Sequence, residues 1–313
     1  MMSERWRRST VSALVVALCL VSVGQAVDPV AHWTFDEVVV VDAGDPNDPN
    51  ATIAITPDVS GNGYDGVLTG EYAAVDGVED GAVDFNGTSV VTVPVEAWND
   101  NIFEGFTVSY WSYTDVASQN SVSVRAVTGT GEKGEKSANV HAPWNNIIMF
   151  DTRSDDGNNQ RLRIKNTSDQ WISQWSHWTY VYTPGRQEIY LNGEPFASGT
   201  GTGAIHQDTT YFTIGAEAGG AYGFSGLMDD VRLYNVALTE REIWDLVGPV
   251  VLEDFEADLS AWAMTAGGAD SAMIRHTNQH ADSIVYIDDI VGKPLASPAA
   301  PPEPEPEPEI PAT

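Results

Sequence analysis

Gly223 to Ile243 reads GFSGLMDDVRLYNVALTEREI. Alternation over its first half predicts a strand. Leu227, Asp229, Val231 and Leu233 fall on one face, and Met228, Asp230, Arg232 and Tyr234 on the other. Val231 and Leu233 mark theirs as the buried face, which turns Asp229 inward beside them. An inward carboxylate must be paired, hydrogen-bonded or bound to a metal. After Asn235 the period changes. Thr239 followed by Glu242 is a capping box, and Ile243 and Leu246 supply the apolar side of one short helix.

Upstream of this stretch the sequence alternates in short segments. Residues 31–37 read as a first strand, with Trp33 and Phe35 on one face and Asp36 on the other. Asp58 to Gly66, DVSGNGYDG, is a dense turn in which Asp58 and Asp65 accept backbone N–H bonds or ligate a cation. Gly81 to Val93 reads as a hairpin tipped by Asn86-Gly87. Further strands are expected at 106–113, 147–151, 161–165, 178–182, 188–191, 194–197 (after Asn192-Gly193) and 211–215. Residues 115–139 are polar and carry Lys133 and Lys136, which predicts a mobile loop. Many short strands with a turn signal about every ten residues define an all-β fold, an antiparallel two-sheet sandwich closed by one short helix.

The ends differ in texture. Arg5, Arg7 and Arg8 precede an apolar run from Val11 to Val23, too short to span a bilayer, and Gly24-Gln25-Ala26 offers small residues at a cleavage position. Residues 1–26 therefore read as a signal peptide, and the expected location is secreted, extracellular or cell-surface, the periplasm included. Residues 27–248 form the main domain. Residues 249–293 hold Val250–Trp262 and Ile284–Ile290, a short β segment resembling a truncated second jelly roll. Residues 294–313 are a Pro/Glu-rich disordered tail. The one cysteine, Cys19, lies in the signal, so no disulfide is expected. The chain has 15 Lys+Arg and 45 Asp+Glu. Removing three Arg and Glu4 leaves 12 against 44, a net of −32. That charge argues against nucleic acid and anionic membrane as partners.

AHWTFDE (31–37), D-x-SGNGYDG (58–66), DGAVDFNG (80–87), FTVSYW (106–111), WTYVYTPGRQEIYLNG (178–193), FTIGAE (212–217) and MDDVRLYNVALTEREI (228–243) occur in one order and spacing. Together they resemble the laminin-G-like (LamG) jelly roll of the concanavalin A-like lectin/glucanase superfamily. The resemblance covers residues 31–247 and weakens across 115–176. It implies a structural Ca²⁺ held by Asp229, with the backbone near Asp36 and Gly81. Asp58 is added as a further candidate ligand from its own turn. The bare residues leave a second option, that Asp229 accepts N–H or arginine bonds without a metal.

Glycosidases on this fold carry carboxylates at alternate positions of one strand, because acid and nucleophile must face the sugar about 5 Å apart. Glu188 stands alone, Asp36 and Glu37 point to opposite faces, and Glu256-Ala257-Asp258 has no third acid. The expectation is a non-catalytic module, with a divergent glycoside hydrolase or lyase the weaker reading. For binding, aromatic faces with amides hold sugars at concave sites. The candidates are Trp144, His141 and Asn145, with Asn146 and Asn158 near, and Trp175 with Trp171 and His177. Trp178 reads as core, and Trp111 suits either role. The partner is then a polysaccharide or glycan, or alternatively an extracellular protein bound by an adhesive module.

Overall fold

The computed structural model describes residues 26–44, 48, 50–128, 135–154, 159–165, 167–205 and 208–247, with the backbone of three strands within 262–288. In chain order the strands are β1 (Ala31–Trp33), β2 (Val39–Asp42), β3 (Thr52–Thr56), β4 (Gly66–Thr69), β5 (Tyr72–Asp76), β6 (Gly81–Asn86) and β7 (Val90–Val93). After helix α1 (Glu96–Asn99) come β8 (Phe106–Tyr113), β9 (Val124–Thr128), β10 (Glu135–His141), β11 (Ile147–Arg153) and β12 (Asn159–Lys165). Then follow β13 (Ser176–Thr183), β14 (Arg186–Leu191), β15 (Glu194–Thr200), β16 (Tyr211–Ile214), β17 (Ser225–Tyr234) and helix α2 (Glu240–Val247).

These strands form two antiparallel sheets. Sheet A runs β15-β14-β13-β8-β17-β6-β5, with β1 also on β17; sheet B runs β12-β11-β10-β9-β16-β7-β4-β3-β2. Aromatic rings from the two sheets meet edge to face between them. Phe106 contacts Phe150 at 5.9 Å, Trp33 contacts Phe212 at 6.0 Å, and Trp98 on α1 touches Phe106 at 4.9 Å. Trp178 is 1% exposed and belongs to this core. Helix α2 begins with the capping box: the Thr239 amide and hydroxyl donate to Glu242 Oε2 at 2.7 and 2.8 Å, and the Glu242 amide donates back to Thr239 Oγ1 at 3.3 Å. It sets Ile243 against Val181, Tyr190, Tyr234 and Leu238.

Two expectations are corrected. Residues 115–139 are not a loop throughout, because β9 is a buried strand inside sheet B. Val124 and Ala126 face the core there, while Arg125 takes a position whose polarity disguised the alternation. Gly81–Val93 is not a hairpin either. β6 pairs with β5 and β17, and β7 with β4 and β16. Asn86 Oδ1 accepts from the Thr88 amide and hydroxyl, and Gly87 N donates to Phe224 O, so the Asn-Gly pair carries the chain from one sheet to the other. By contrast Asn192 (φ 51°) and Gly193 (φ 82°) close the β14–β15 hairpin as a two-residue turn.

The chain divides into two compact units, residues 1–248 and 249–313. In the second, β18 (Trp262–Ala266), β19 (Ser271–Thr277) and β20 (Asp282–Asp288) make a three-stranded antiparallel sheet. Residues 1–25 of the expected signal peptide, Val250–Ala261 and the Pro/Glu-rich segment lie outside the described residues. Among those described, no helix is long and apolar enough to cross a membrane.

Candidate binding site

Two places bring the predicted residues together. The first is a break in β17. Leu227 pairs with Tyr113 and Asp229 with Trp111, but the register then slips, and Arg232 pairs with Ser109. The extra residue is Asp230, at φ 54°. Met228, Val231 and Leu233 consequently share the core face, and Asp229 does not join them. This corrects the simple alternation. Asp229 is 1% exposed for another reason: the turn between β5 and β6 folds over it.

Asp229 Oδ2 accepts the Val78 amide at 2.7 Å and the Glu79 amide at 3.3 Å, whereas Oδ1 has no protein partner. Asp36 lies beside it and accepts the Gly81 amide at 2.9 Å. A Cβ on Gly77 would sit 2.5 Å from Asp229 Oδ2 and also against the Gly81 carbonyl, so hard oxygens crowd this point. Burial pushes the Asp229 carboxyl up to about 7, the two amides oppose this, and Asp230 and Asp36 add to it. Among the described residues no group of three or more His, Cys, Asp or Glu gathers as metal ligands, so the observation that fits a calcium ion is the idle Asp229 Oδ1, a hard oxygen of a buried carboxylate whose charge a cation would offset.

Asp230, next along the strand, is differently placed. Burial raises its carboxyl, but the His32 hydrogen bond and the Arg232 charge at 2.8 Å outweigh it and hold it below the usual range. Asp58 does not join Asp229. Its two oxygens accept the His32, Ser60 and Tyr64 amides at 2.9–3.0 Å and the Ser60 hydroxyl at 2.9 Å. These donors outweigh burial and depress its pKa. The carboxylate is consumed in fastening the 58–66 turn to β1.

The second place is the face of sheet B turned away from the core, where Trp144, Asn145 and Tyr222 reach solvent while Thr213, Arg125, Asn139 and Asp151 are buried. Trp144 and Ile147 exchange backbone hydrogen bonds at 2.7 and 3.0 Å, with Asn145 (φ 47°) and Asn146 (φ 58°) between them. The two asparagines make a type I′ turn joining β10 to β11. Their sequence signal is turn chemistry first, and only the exposed Asn145 side chain remains free to meet a ligand. The turn lifts Trp144, half buried, against His141 at 5.0 Å and Tyr222 at 5.0 Å. His141 Nδ1 donates to Ser121 O at 2.6 Å, which fixes its ring. Tyr222 is 46% exposed, so an aromatic step faces solvent.

Beside the step runs a polar row that sequence reasoning missed. Strand register aligns Thr213, Arg125, Asn139, Asp151 and Arg161 across β16, β9, β10, β11 and β12. Arg125 pairs with Glu217, and Arg161 grips Asp151 through two nitrogens at 2.5 and 2.6 Å. Burial lowers Arg125 to about 10, against the raising effect of Asp151 and Tyr222, so it stays charged at neutral pH. Both amide atoms of Asn139, 1% exposed, lack a partner. A shallow cleft lined by Arg125, Val127, Tyr211, Thr213 and Ala218 adjoins the row; its volume of about 10 Å³ is room for a water molecule and not for a sugar ring.

Trp175 lies elsewhere, packed on Tyr113 of sheet A at 6.1 Å. His177 and Trp171 are buried at 0% and 2%. Burial drives His177 down to about 3, so it is neutral and packed against Trp111 at 5.0 Å. Asn158 lies outside the described residues.

The architecture defines a jelly-roll sandwich. The family described as "Concanavalin A-like lectin/glucanases superfamily" matches residues 85–244, about half of the 313, and this chain belongs to that family. Among solved structures it is similar to domain 4 of AbnA, a GH43 extracellular arabinanase from Geobacillus stearothermophilus, in complex with arabinotriose. The identity is 21% and the TM-score 0.51, over 71% of this chain and all of that one. It is also similar to the receptor binding domain of a botulinum neurotoxin C/D mosaic serotype, at 12% identity and TM-score 0.50, over 79% of this chain and 61% of that one. A stretch of 94 residues, 29% of this chain, is 32% identical to adhesion G-protein coupled receptor V1 of Danio rerio and spans 2% of that receptor's length.

Proposed function

We propose that this chain is an exported, non-catalytic module that binds a polysaccharide on the face of sheet B turned away from the core. The observation that carries the reading is the half-open Trp144–Tyr222 step, backed by His141 and edged by polar side chains. Sugar rings stack on such faces while amides and charged groups take their hydroxyls. The carboxylates of this face support binding over hydrolysis. Asp151 is clamped by Arg161 and Glu217 is paired with Arg125, so both carboxylates are engaged in ion pairs within the protein. The arabinotriose complex of the arabinanase domain has the same fold and supports a sugar ligand.

A calcium ion bound through Asp229 Oδ1 and the neighbouring backbone would fasten β17 to the β5–β6 turn, with a structural role distant from the sugar face. The likeness to an adhesion receptor supports a second reading, an adhesive module with a protein partner. A polysaccharide panel probed with the full chain, in calcium and in chelator, separates them. Retention on at least one polysaccharide is expected. A folded sample that binds none overturns the glycan reading in favour of the adhesive one.

A further inference from the structure

β12 is an edge strand whose alternation sets Leu162 and Ile164 against the core and leaves Arg161, Arg163 and Lys165 exposed. Arg161 is taken by Asp151. Arg163 and Lys165 have no acidic partner among the described residues. Two free cations two residues apart are notable in a chain of net charge −30. They belong to a wider island. Seven of the fifteen Lys and Arg residues fall between Arg125 and Lys165, against five acids in the same span.

Arg163 and Lys165 share their face with the aromatic step. Arg163 pairs across with Met149 and Met149 with His141, while Lys165 pairs with Ile147, which closes the Trp144 turn. The free cations therefore stand two strand spacings, about 10 Å, from the strand that carries the aromatics.

We infer that the polysaccharide taken by this face is anionic, carrying carboxylate or sulfate groups that pair with Arg163 and Lys165 while a ring stacks on Trp144 and Tyr222. The inference rests on the glycan reading above and narrows it. A guanidinium forks onto a carboxylate or sulfate, and an ammonium adds a point charge. The strongly negative remainder of the chain repels such a polymer and confines its landing to this edge.

The test uses the full chain in chelator, to exclude calcium bridging. It is titrated with polygalacturonate, with the fully methyl-esterified polymer, and with a sulfated galactan and its desulfated form. The variant is Arg163→Glu/Lys165→Glu, whose exposed positions leave the melting curve unchanged. Binding to an acidic polymer at least tenfold tighter than to its neutral counterpart, weakened by salt and lost in the double variant, supports the inference. Which acidic polymer binds names the anion. Equal binding of acidic and neutral forms, unaffected in the double variant, overturns the anionic ligand and leaves the glycan reading standing. A folded chain that binds neither these polymers nor the neutral panel overturns both.

Discussion

The Val78 amide donates to Asp229 Oδ2 at 2.7 Å, and the other oxygen of that carboxylate is buried without a partner. One half of the group is satisfied by the β5–β6 turn, and the other half is where the proposed calcium would bind.

The pH dependence follows from this geometry. The Asp229 pKa is raised from 3.8 to about 7. Between those values the folded state holds a proton that the unfolded state has released. The contribution of this group is therefore full below the lower value, falls as pH rises through about 7 and stays lost above it. Calcium should restore it. At 100 times its Kd the ion adds ~2.7 kcal/mol, roughly 5–10 °C in Tm for a domain of this size. We expect that rise at pH 8, a smaller one at pH 5.5 where the proton competes, and none in Asp229→Asn. A Tm indifferent to calcium at pH 8 sinks the metal claim.

Asp58 supplies the contrast. Its pKa is depressed, so its stabilisation is present above 3.8 and is lost as pH falls through the lower folded value. Asp58→Ala removes an anion that holds three amides and a hydroxyl, and should cost about 2–3 kcal/mol. Thermal melts should show the same loss in calcium and in chelator. A loss confined to calcium would make Asp58 a ligand after all.

The Asn145-Asn146 turn can be tested through backbone conformation alone. Alanine at either position pays the left-handed penalty of ~1–2 kcal/mol. Asn146→Gly should match or exceed the parent in Tm. Equal tolerance of Ala and Gly at residue 146 would show that the turn does not depend on positive φ.

The two-sheet sandwich was legible because the strands of its core alternate cleanly, as in Phe106-Thr107-Val108, and because turns such as Asn192-Gly193 have one efficient geometry. The helix was equally legible, since the Thr239–Glu242 capping box is local. What escaped depended on distant chain. The slip at Asp230 is set by β1 and β6 meeting on the same side of β17, which no window of sequence displays. Strand β9 was hidden by Arg125, whose burial is tolerable only because Glu217, 92 positions away, comes to pair with it. Trp144 and Trp175 looked alike in sequence, each among polar neighbours. Only sheet order sends one to sheet B and the other to sheet A.

That difference also sets the most direct test of the proposed site. Trp144→Ala and Trp175→Ala should be compared by calorimetric titration with whichever polysaccharide the panel selects, each with a melting curve. The account predicts at least a tenfold loss of affinity in Trp144→Ala with a fold that still melts cooperatively, and unchanged affinity in Trp175→Ala. Full binding by Trp144→Ala, or loss only in Trp175→Ala, would contradict the assignment of the site to sheet B.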